Sequence, residues 1–538
     1  MFENLTNITE VELSRLDSSS VTHMTQMFWN CSSLTSINFA NFDSSSVQDM
    51  HLTFAGCIDL KELDLSTFDT SKVTTMYYMF TDCMNLTSLN LGHFDTSKVV
   101  TMEAMFCGLY SLKSLDISNF DTAQVTNMNA MFFHCEKLDK LDVSHFKTSK
   151  VEKFGQIFRD CILLTSLDVS NFNTENAYDM GFMFAGCENL LSLDLSSFKT
   201  PKATTMMEMF FGCKKLSSLD ISNFTTSKIT NMYGFFAYCE SLPYLDLSHL
   251  YTPNVQDMEY VFFYCRSLTS VKIPNFDASH AKSVRSMFEG CESLTSIDLS
   301  NFNTQNVKIM ERLFSYCRSL RFLDLTSFNT AEVENMERMF ENCHSITSID
   351  LSTFETPKVT TMDSMFAHCY NVRSLDLTKF KTNSLTVTGF MFLFCQTLTS
   401  LDLSSFETTN LIRMYGMFYG CIRLTEMHLP NFDTRSVNNV QFLFKDCNNI
   451  QYIDFKEYNE VIELAADGAL DGITDYLVIC IGQNNQNYVK FYQELIKKKC
   501  YSIYCGEDWR AHIKHKYVPE TGKCEIDCSI YRFFFFAI

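Results

Sequence analysis

The chain has 538 residues, of which 46% are hydrophobic, so it can bury a large core and is not disordered by composition. Its 43 Lys and Arg residues against 63 Asp and Glu give a formal net charge of −20, which repels a phosphate backbone and argues against a nucleic-acid partner. The sequence has no apolar run near the roughly 18 residues that a membrane-spanning helix needs, and its start lacks the basic segment and apolar core of a signal peptide.

From the first residues onwards, the chain repeats nearly the same 26-residue sequence seventeen times without insertion or deletion. One copy reads LDLSTFDTSKVTTMYYMFTDC at Leu63–Cys83, and the next reads LNLGHFDTSKVVTMEAMFCGL. A constant period with many fixed apolar positions is typical of a solenoid, in which each copy buries its apolar face on its neighbours. Since the first copy starts almost at once, we expect the chain to lack its own N-terminal segment.

Each copy contains two different apolar patterns. Leu63–Leu65 alternates apolar, polar and apolar, which predicts a short strand with one buried face. Between Val73 and Cys83 the apolar residues follow at intervals of 3, 3, 1 and 3, which fits one stripe of a short helix that Thr70 would cap. The sequence therefore predicts an α/β repeat solenoid of the leucine-rich-repeat type with about 17 coils. A parallel sheet of strands would form one face and short helices the other.

Two columns of nearly invariant residues run through the copies. A Phe recurs at all seventeen positions from Phe28 to Phe444, and a Cys recurs at sixteen positions from Cys31 to Cys447. We expect the cysteines to be buried free thiols, with disulfides between neighbouring coils as the alternative. Redox catalysis is not expected, because it needs a paired or low-pKa thiol. The predicted core ladders include Phe80, Phe210, Phe340, Cys83, Cys213 and Cys343.

The repeat motif LxxLDLSxFDTSxVTxMxxMFxxC resembles the leucine-rich repeats of the BspA-like surface proteins, in their 26-residue variety, over about residues 10–456. The resemblance implies a cell-surface protein that adheres to host proteins or cells. It also implies that the repeats are a binding scaffold and not a catalytic domain.

The repeats end near residue 456, so we predict a solenoid over residues 1–456 and a small α/β region over residues 457–538. In this second region, Tyr476–Gly482 is expected to be a strand and Asn487–Cys500 an amphipathic helix. If the chain is exported, we expect disulfides among its cysteines, with free thiols or a metal site as the alternative. The cysteines concerned are Cys500, Cys505, Cys524 and Cys528. The ten residues after Cys528 are too few to cross a bilayer, as expected of a truncated C-terminus.

The polar residue between the two strand leucines points outward, and it is Asp in thirteen of the seventeen copies. One interpretation is a ladder of carboxylates that accept hydrogen bonds from neighbouring Ser hydroxyls. The other is an acidic stripe that binds a basic partner or divalent cations such as Ca²⁺. Aromatic and basic replacements on this face predict a binding patch, although relaxed constraint in degenerate copies explains them equally well. The candidate face comprises Asp194, Asp220, Asp246, Tyr244, Lys272, Phe322, His428 and Tyr452.

The sequence contains no phosphate-binding loop and no nucleophile elbow, so we predict no enzyme, no catalytic residues, no cofactor and no resident metal site. We expect a non-enzymatic repeat protein at the cell surface or outside the cell, where it binds a protein ligand such as a host or matrix protein. The alternative is an intracellular scaffold in the cytoplasm, which the lack of a signal peptide and the ladder of thiols favour.

Overall fold

The computed structural model describes residues 2–461, 463–481, 489–514, 516–518 and 523–525, with backbone alone for residue 489 and the last two ranges. The described residues form a parallel β-solenoid of about 19 turns with a period of about 26 residues and almost no helix. It divides into two compact units, an N-terminal unit of residues 1–276 and a C-terminal unit of residues 277–538.

In the N-terminal unit, neighbouring coils pair through short parallel strands. Strand β1 (Glu10–Glu12) pairs with β2 (Ser36–Asn38), β3 (Ser88–Asn90) with β4 (Ser114–Asp116), and β5 (Tyr244–Asp246) with β6 (Ser270–Lys272). Each residue pairs with the residue 26 positions later, as Leu89 does with Leu115. The central apolar residue points inward and its neighbours point outward, because successive side chains of a strand alternate between faces. We call the outward surface of these segments the strand face.

The C-terminal unit contains a four-stranded parallel sheet. Its strands are β7 (Glu426–His428), β8 (Tyr452–Phe455), β9 (Val478–Ile481) and β10 (Ser502–Ile503), and they lie in chain order. Strands β9 and β10 extend the stack beyond residue 456, which is why the solenoid has more turns than the 17 counted from the repeats. The conserved positions of the 26-residue repeat end near residue 456, but parallel strand pairing continues beyond that residue.

The other elements of the C-terminal unit follow β9. They are the helix α1 (Val489–Leu495), a 3₁₀ helix at Trp509–His512, and an antiparallel pair formed by β11 (Lys516–Val518) and β12 (Lys523–Glu525). In the part of the chain that the structure describes, no helix is long and apolar enough to cross a membrane.

The short helices predicted for the second face of each coil are wrong. The segment from Met76 to Cys83 is a run of turns, and we call this surface and its equivalents the turn face. The amide of Met79 donates to the Met76 carbonyl and that of Cys83 to the Phe80 carbonyl, at 3.3 and 3.2 Å. Tyr78 and Asp82 have φ angles of 56° and 58°, and a positive φ at the third residue is the mark of a type II turn.

Alternate amides of the turn face bond to the next coil, and this explains why no helix forms. The amides of Tyr78, Phe80 and Asp82 donate to carbonyls 25 residues later, at 2.8 to 3.0 Å. A helix would use the same amides within its own segment. The apolar spacing of 3, 3, 1 and 3 fits both arrangements, and the turns prevail because they hydrogen-bond neighbouring coils on this side as well.

The interior is built from columns of identical side chains. Phe80 is fully buried, and its ring stacks between those of Phe54 and Phe106 at centroid distances of 5.6 and 5.9 Å. The Cys83 thiol is buried and free, and it donates to the Phe54 carbonyl at 3.1 Å. Phe210, Phe340, Cys213 and Cys343 are likewise fully buried in equivalent positions.

The buried threonines join coils and do not cap helices, contrary to the expectation for Thr70. Its hydroxyl donates to the carbonyl of Asp95 in the next coil at 3.0 Å. In the following coil, Thr96 donates to the Asp121 carbonyl at 3.0 Å and accepts from the Asp121 amide at 2.8 Å. One hydroxyl thus satisfies two backbone groups of the neighbouring coil, which stabilises the stack.

Candidate functional site

The aspartates of the strand face accept hydrogen bonds from their own coil. The amide of Ser196 donates to Asp194 at 3.0 Å and that of Ser222 to Asp220 at 2.9 Å, as in an Asx turn. These bonds, from the hydroxyl and amide of Ser196, hold the pKa of Asp194 below its usual range, so it stays ionised at neutral pH. Both carboxylates therefore accept a backbone amide of their own coil, and the acidic stripe that binds a partner stays a prediction.

Three of the candidate residues meet in one cluster of the N-terminal unit. The Tyr244 hydroxyl donates to Asp246 Oδ2 at 3.0 Å, and the Lys272 ammonium lies 3.2 Å from the same oxygen and 5.7 Å from the Tyr244 ring centroid. Ser248 donates to the other oxygen of Asp246 through its hydroxyl and its amide. Ser248 first, and then Lys272, hold the pKa of Asp246 well below its usual range. Both oxygens of this carboxylate are thus occupied by protein donors.

Phe322 is the most exposed large hydrophobic side chain among the described residues, at 62%. It lies two residues before Asp324 on the strand face of the C-terminal unit, in a column that holds Ser in the coils on either side. The amide and hydroxyl of Thr326 keep the pKa of Asp324 below its usual range, and those of Ser352 do the same for Asp350 one coil later. An exposed aromatic ring therefore lies on a face that carries an ionised carboxylate in its own coil and another in the next coil. We call these residues the Phe322 patch.

The expectation that Tyr452 is exposed is wrong, because a segment that follows the repeats covers it. Trp509 stacks on its ring at a centroid distance of 4.9 Å and leaves Tyr452 only 4% exposed. Burial, with the nearby Asp454 carboxylate, raises the pKa of Tyr452 to about 12. Arg510 lies over the Trp509 ring at 4.4 Å. We call residues 500–514, which place these groups, the C-terminal cap.

A cavity of about 520 Å³ lies between the C-terminal cap and the strand face of the same unit. His428 lines it and remains about half exposed, with Nε2 3.9 Å from Glu426 and Nδ1 4.0 Å from Asp454. Glu426 also pairs with Arg510 at 3.3 Å. The cavity therefore contains charges of both signs, and the ion pair of Glu426 with Arg510 joins the C-terminal cap to the strand face.

The C-terminal cap is held by disulfides. Cys480 pairs with Cys505, and Cys500 is also disulfide-bonded. The side chain of Cys524 and the whole of Cys528 lie outside the described residues. Sequence reasoning did not assign Cys480 a partner, although one signal was available. Cys480 follows Asp454 by 26 residues and so belongs to an outward column, unlike the inward cysteines of the repeats.

Within the described residues, no group of three or more His, Cys, Asp or Glu side chains is arranged to hold a metal ion. The buried thiols of the repeats have low reactivity. Burial raises the pKa of Cys83 to about 12 and that of Cys213 and Cys343 well above the usual value. A thiol with such a pKa is a poor nucleophile at neutral pH, because the thiolate is the reactive form.

Comparison with known families gives one match. The sequence model of the family described as "Mycoplasma protein of unknown function, DUF285" matches five overlapping stretches of the chain, residues 1–90, 81–192, 157–270, 236–349 and 345–458. No curated protein matches the chain.

Solved structures of other repeat proteins resemble the chain only distantly. A leucine-rich repeat protein of Bacteroides ovatus is 18% identical over 81% of this chain and 82% of its own, with a TM-score of 0.28. A leucine-rich cell surface protein of Faecalibacterium prausnitzii is 13% identical over 68% and 86%, with a TM-score of 0.29. An internalin of Listeria monocytogenes is 11% identical over 79% and 89%, with a TM-score of 0.21. At TM-scores this low, these resemblances support no conclusion about this chain.

Proposed function

The chain belongs to the DUF285 family of Mycoplasma proteins of unknown function, and we propose that it is a BspA-like repeat protein displayed on the cell surface. It binds a protein ligand, on a host cell or in the matrix, through the strand face, and it does not catalyse a reaction. The observation that carries this proposal is the Phe322 patch, an exposed aromatic side chain among ionised carboxylates.

The Phe322 patch has the chemistry of a recognition site for a basic protein surface. Burying an aromatic side chain against a partner contributes about 2 kcal/mol. The carboxylates of Asp324 and Asp350 complement Lys or Arg on the partner and speed its approach. Carboxylates on the same face as the ring also favour one orientation of the partner, because charges fix the register of the contact.

The cysteines support a location outside the reducing cytoplasm. The disulfide of Cys480 with Cys505 is of the kind that forms and persists in an oxidising environment. The alternative, an intracellular scaffold, is favoured by the free thiols of the repeats. These thiols are compatible with export, however, because Cys83 and its equivalents are buried and have raised pKa values, which protects them from oxidants.

Beads coated with the purified chain should adhere to a layer of cultured epithelial cells. Phe322→Ala should weaken the interaction by roughly 30-fold in Kd, the equivalent of about 2 kcal/mol. Leu191→Ala is the matched control, since Leu191 is 52% exposed and lies outside the patch. If Phe322→Ala and the control adhere equally well, the strand face of the C-terminal unit is not the binding surface.

A further inference from the structure

A cavity of about 310 Å³ opens on the turn face of the N-terminal unit. Five aromatic rings surround it, each in contact with the next. The centroid distances are 5.3 Å for Phe211–Tyr238, 5.2 Å for Tyr238–Phe263, 5.0 Å for Phe263–Tyr260 and 5.3 Å for Tyr260–Tyr233. All five side chains are partly exposed, so their rings border a space that a small molecule can enter.

Gly234 lines the cavity between these rings. It occupies a column of the turn face in which the residues have positive φ, at 58° for Gly234 itself, and in the coils on either side that column holds Glu208 and Tyr260. A Cβ at position 234 would lie 3.0 Å from Glu208 Cγ and 3.8 Å from Phe211 Cδ2. A side chain at this position would press on Glu208, so glycine lets the Glu208 side chain approach along the column, beside the aromatic walls of the cavity.

Carboxylates give the cavity a negative character. Glu208 lines it directly. Burial raises the pKa of the Tyr233 hydroxyl, and so do the nearby Tyr260 hydroxyl and the carboxylates of Glu208, Glu259 and Asp257. Burial raises the pKa of Glu208, and the positive charge of Arg159 opposes that rise. Its guanidinium, however, lies over the ring of Phe182 at 4.6 Å and pairs with Asp160 at 3.4 Å.

Aromatic rings beside a carboxylate attract an organic cation, because the negative face of each ring and the carboxylate act on the same positive charge. A primary ammonium would need several hydrogen-bond acceptors after leaving water, and these walls are mainly rings. A methylated ammonium donates no hydrogen bond and presents an apolar surface to the rings. We propose that this cavity binds the quaternary ammonium group of choline, either free or as a lipid headgroup.

Isothermal titration calorimetry of the full chain with choline tests the proposal, and 3,3-dimethylbutanol supplies the same shape without the charge. Choline should bind at least roughly tenfold more tightly than dimethylbutanol. Glu208→Gln and Tyr238→Leu should each weaken choline binding by roughly fivefold or more. Tyr316→Leu is the matched control, since Tyr316 occupies the same turn-face column as Tyr238 but in the C-terminal unit, and it should leave binding unchanged.

Equal binding of choline and dimethylbutanol, or no binding of choline, would overturn the proposal without the need for any variant. Phosphatidylcholine vesicles distinguish the two sources. Co-sedimentation that free choline displaces identifies a lipid headgroup, whereas choline binding without co-sedimentation identifies the free molecule. The cavity is on the turn face, so a failure of the choline proposal would leave the proposed protein binding by the strand face intact. A failure of the strand-face proposal would likewise leave the choline proposal intact.

Discussion

Replacement of Phe210 by Ala tests the column packing of the N-terminal unit. The ring is fully buried and stacks on Phe184 and Phe236 at 5.8 and 5.7 Å, with Phe235 at 5.5 Å on its side. Large-to-small changes of a buried Phe cost about 3–5 kcal/mol, because the transfer free energy is lost and a cavity remains. Two stacked contacts are lost at once, and each contributes about 0.5–1.5 kcal/mol, so we expect a value at the upper end of that range.

Urea unfolding followed by far-UV circular dichroism measures this loss as a fall in the transition midpoint of the N-terminal unit. Leu191→Ala is the control, since it also removes apolar carbons, but from a side chain that is 52% exposed. Its cost should stay within about 0.5 kcal/mol. A Phe210→Ala protein that unfolds at the wild-type urea concentration would refute the assignment of this ring to a packed column.

Three further predictions concern the polar and sulfur groups. The pKa values of Asp324 and Asp350 are lowered in the folded chain, so their stabilising effect is present above the unfolded pKa and is lost as the pH falls through the folded pKa. The urea concentration at the unfolding midpoint should therefore decrease when the pH is lowered below about 4. In the double Asp→Asn variant, this decrease should be smaller. Mass spectrometry after iodoacetamide treatment should show Cys83 unlabelled in the native chain and labelled after denaturation, and native labelling would contradict its burial. Reducing the Cys480–Cys505 disulfide, which spans 25 residues, should lower the free energy of unfolding by about 3 kcal/mol. It should also shift the fluorescence of Trp509 to the red. An unchanged spectrum would mean that the C-terminal cap does not depend on this disulfide.

The constant period made the register predictable. A repeat of 26 residues without insertions predicts that Leu89 pairs with Leu115, and the strands pair in this way. The same counting places the Phe and Cys columns in the interior. The turn face was not predictable in this manner, because the apolar spacing is compatible with a helix and with a run of turns. The choice between them depends on where the amides of Tyr78 and Phe80 find acceptors, and those acceptors lie in another coil.

The candidate sites also differ in how far the constant period predicts them. Tyr244, Asp246 and Lys272 belong to one coil and its neighbour, so column counting brings them together, as the structure does. Tyr452 was misjudged because its cover, Trp509, comes from a segment outside the repeats. The aromatic cavity beside Gly234 was missed for a different reason. In a sequence, a glycine indicates only a local turn. The contribution of Gly234 to the cavity depends on the side chains of the coils on both sides, which the sequence around Gly234 does not show.

The central claim is display at the cell surface, and labelling of intact cells tests it most directly. An antibody raised against the repeats is applied to non-permeabilised cells that produce the protein, with permeabilised cells as the control. The account predicts signal on the intact cells. Signal that appears only after permeabilisation would contradict surface display and would leave the intracellular scaffold as the function of these repeats.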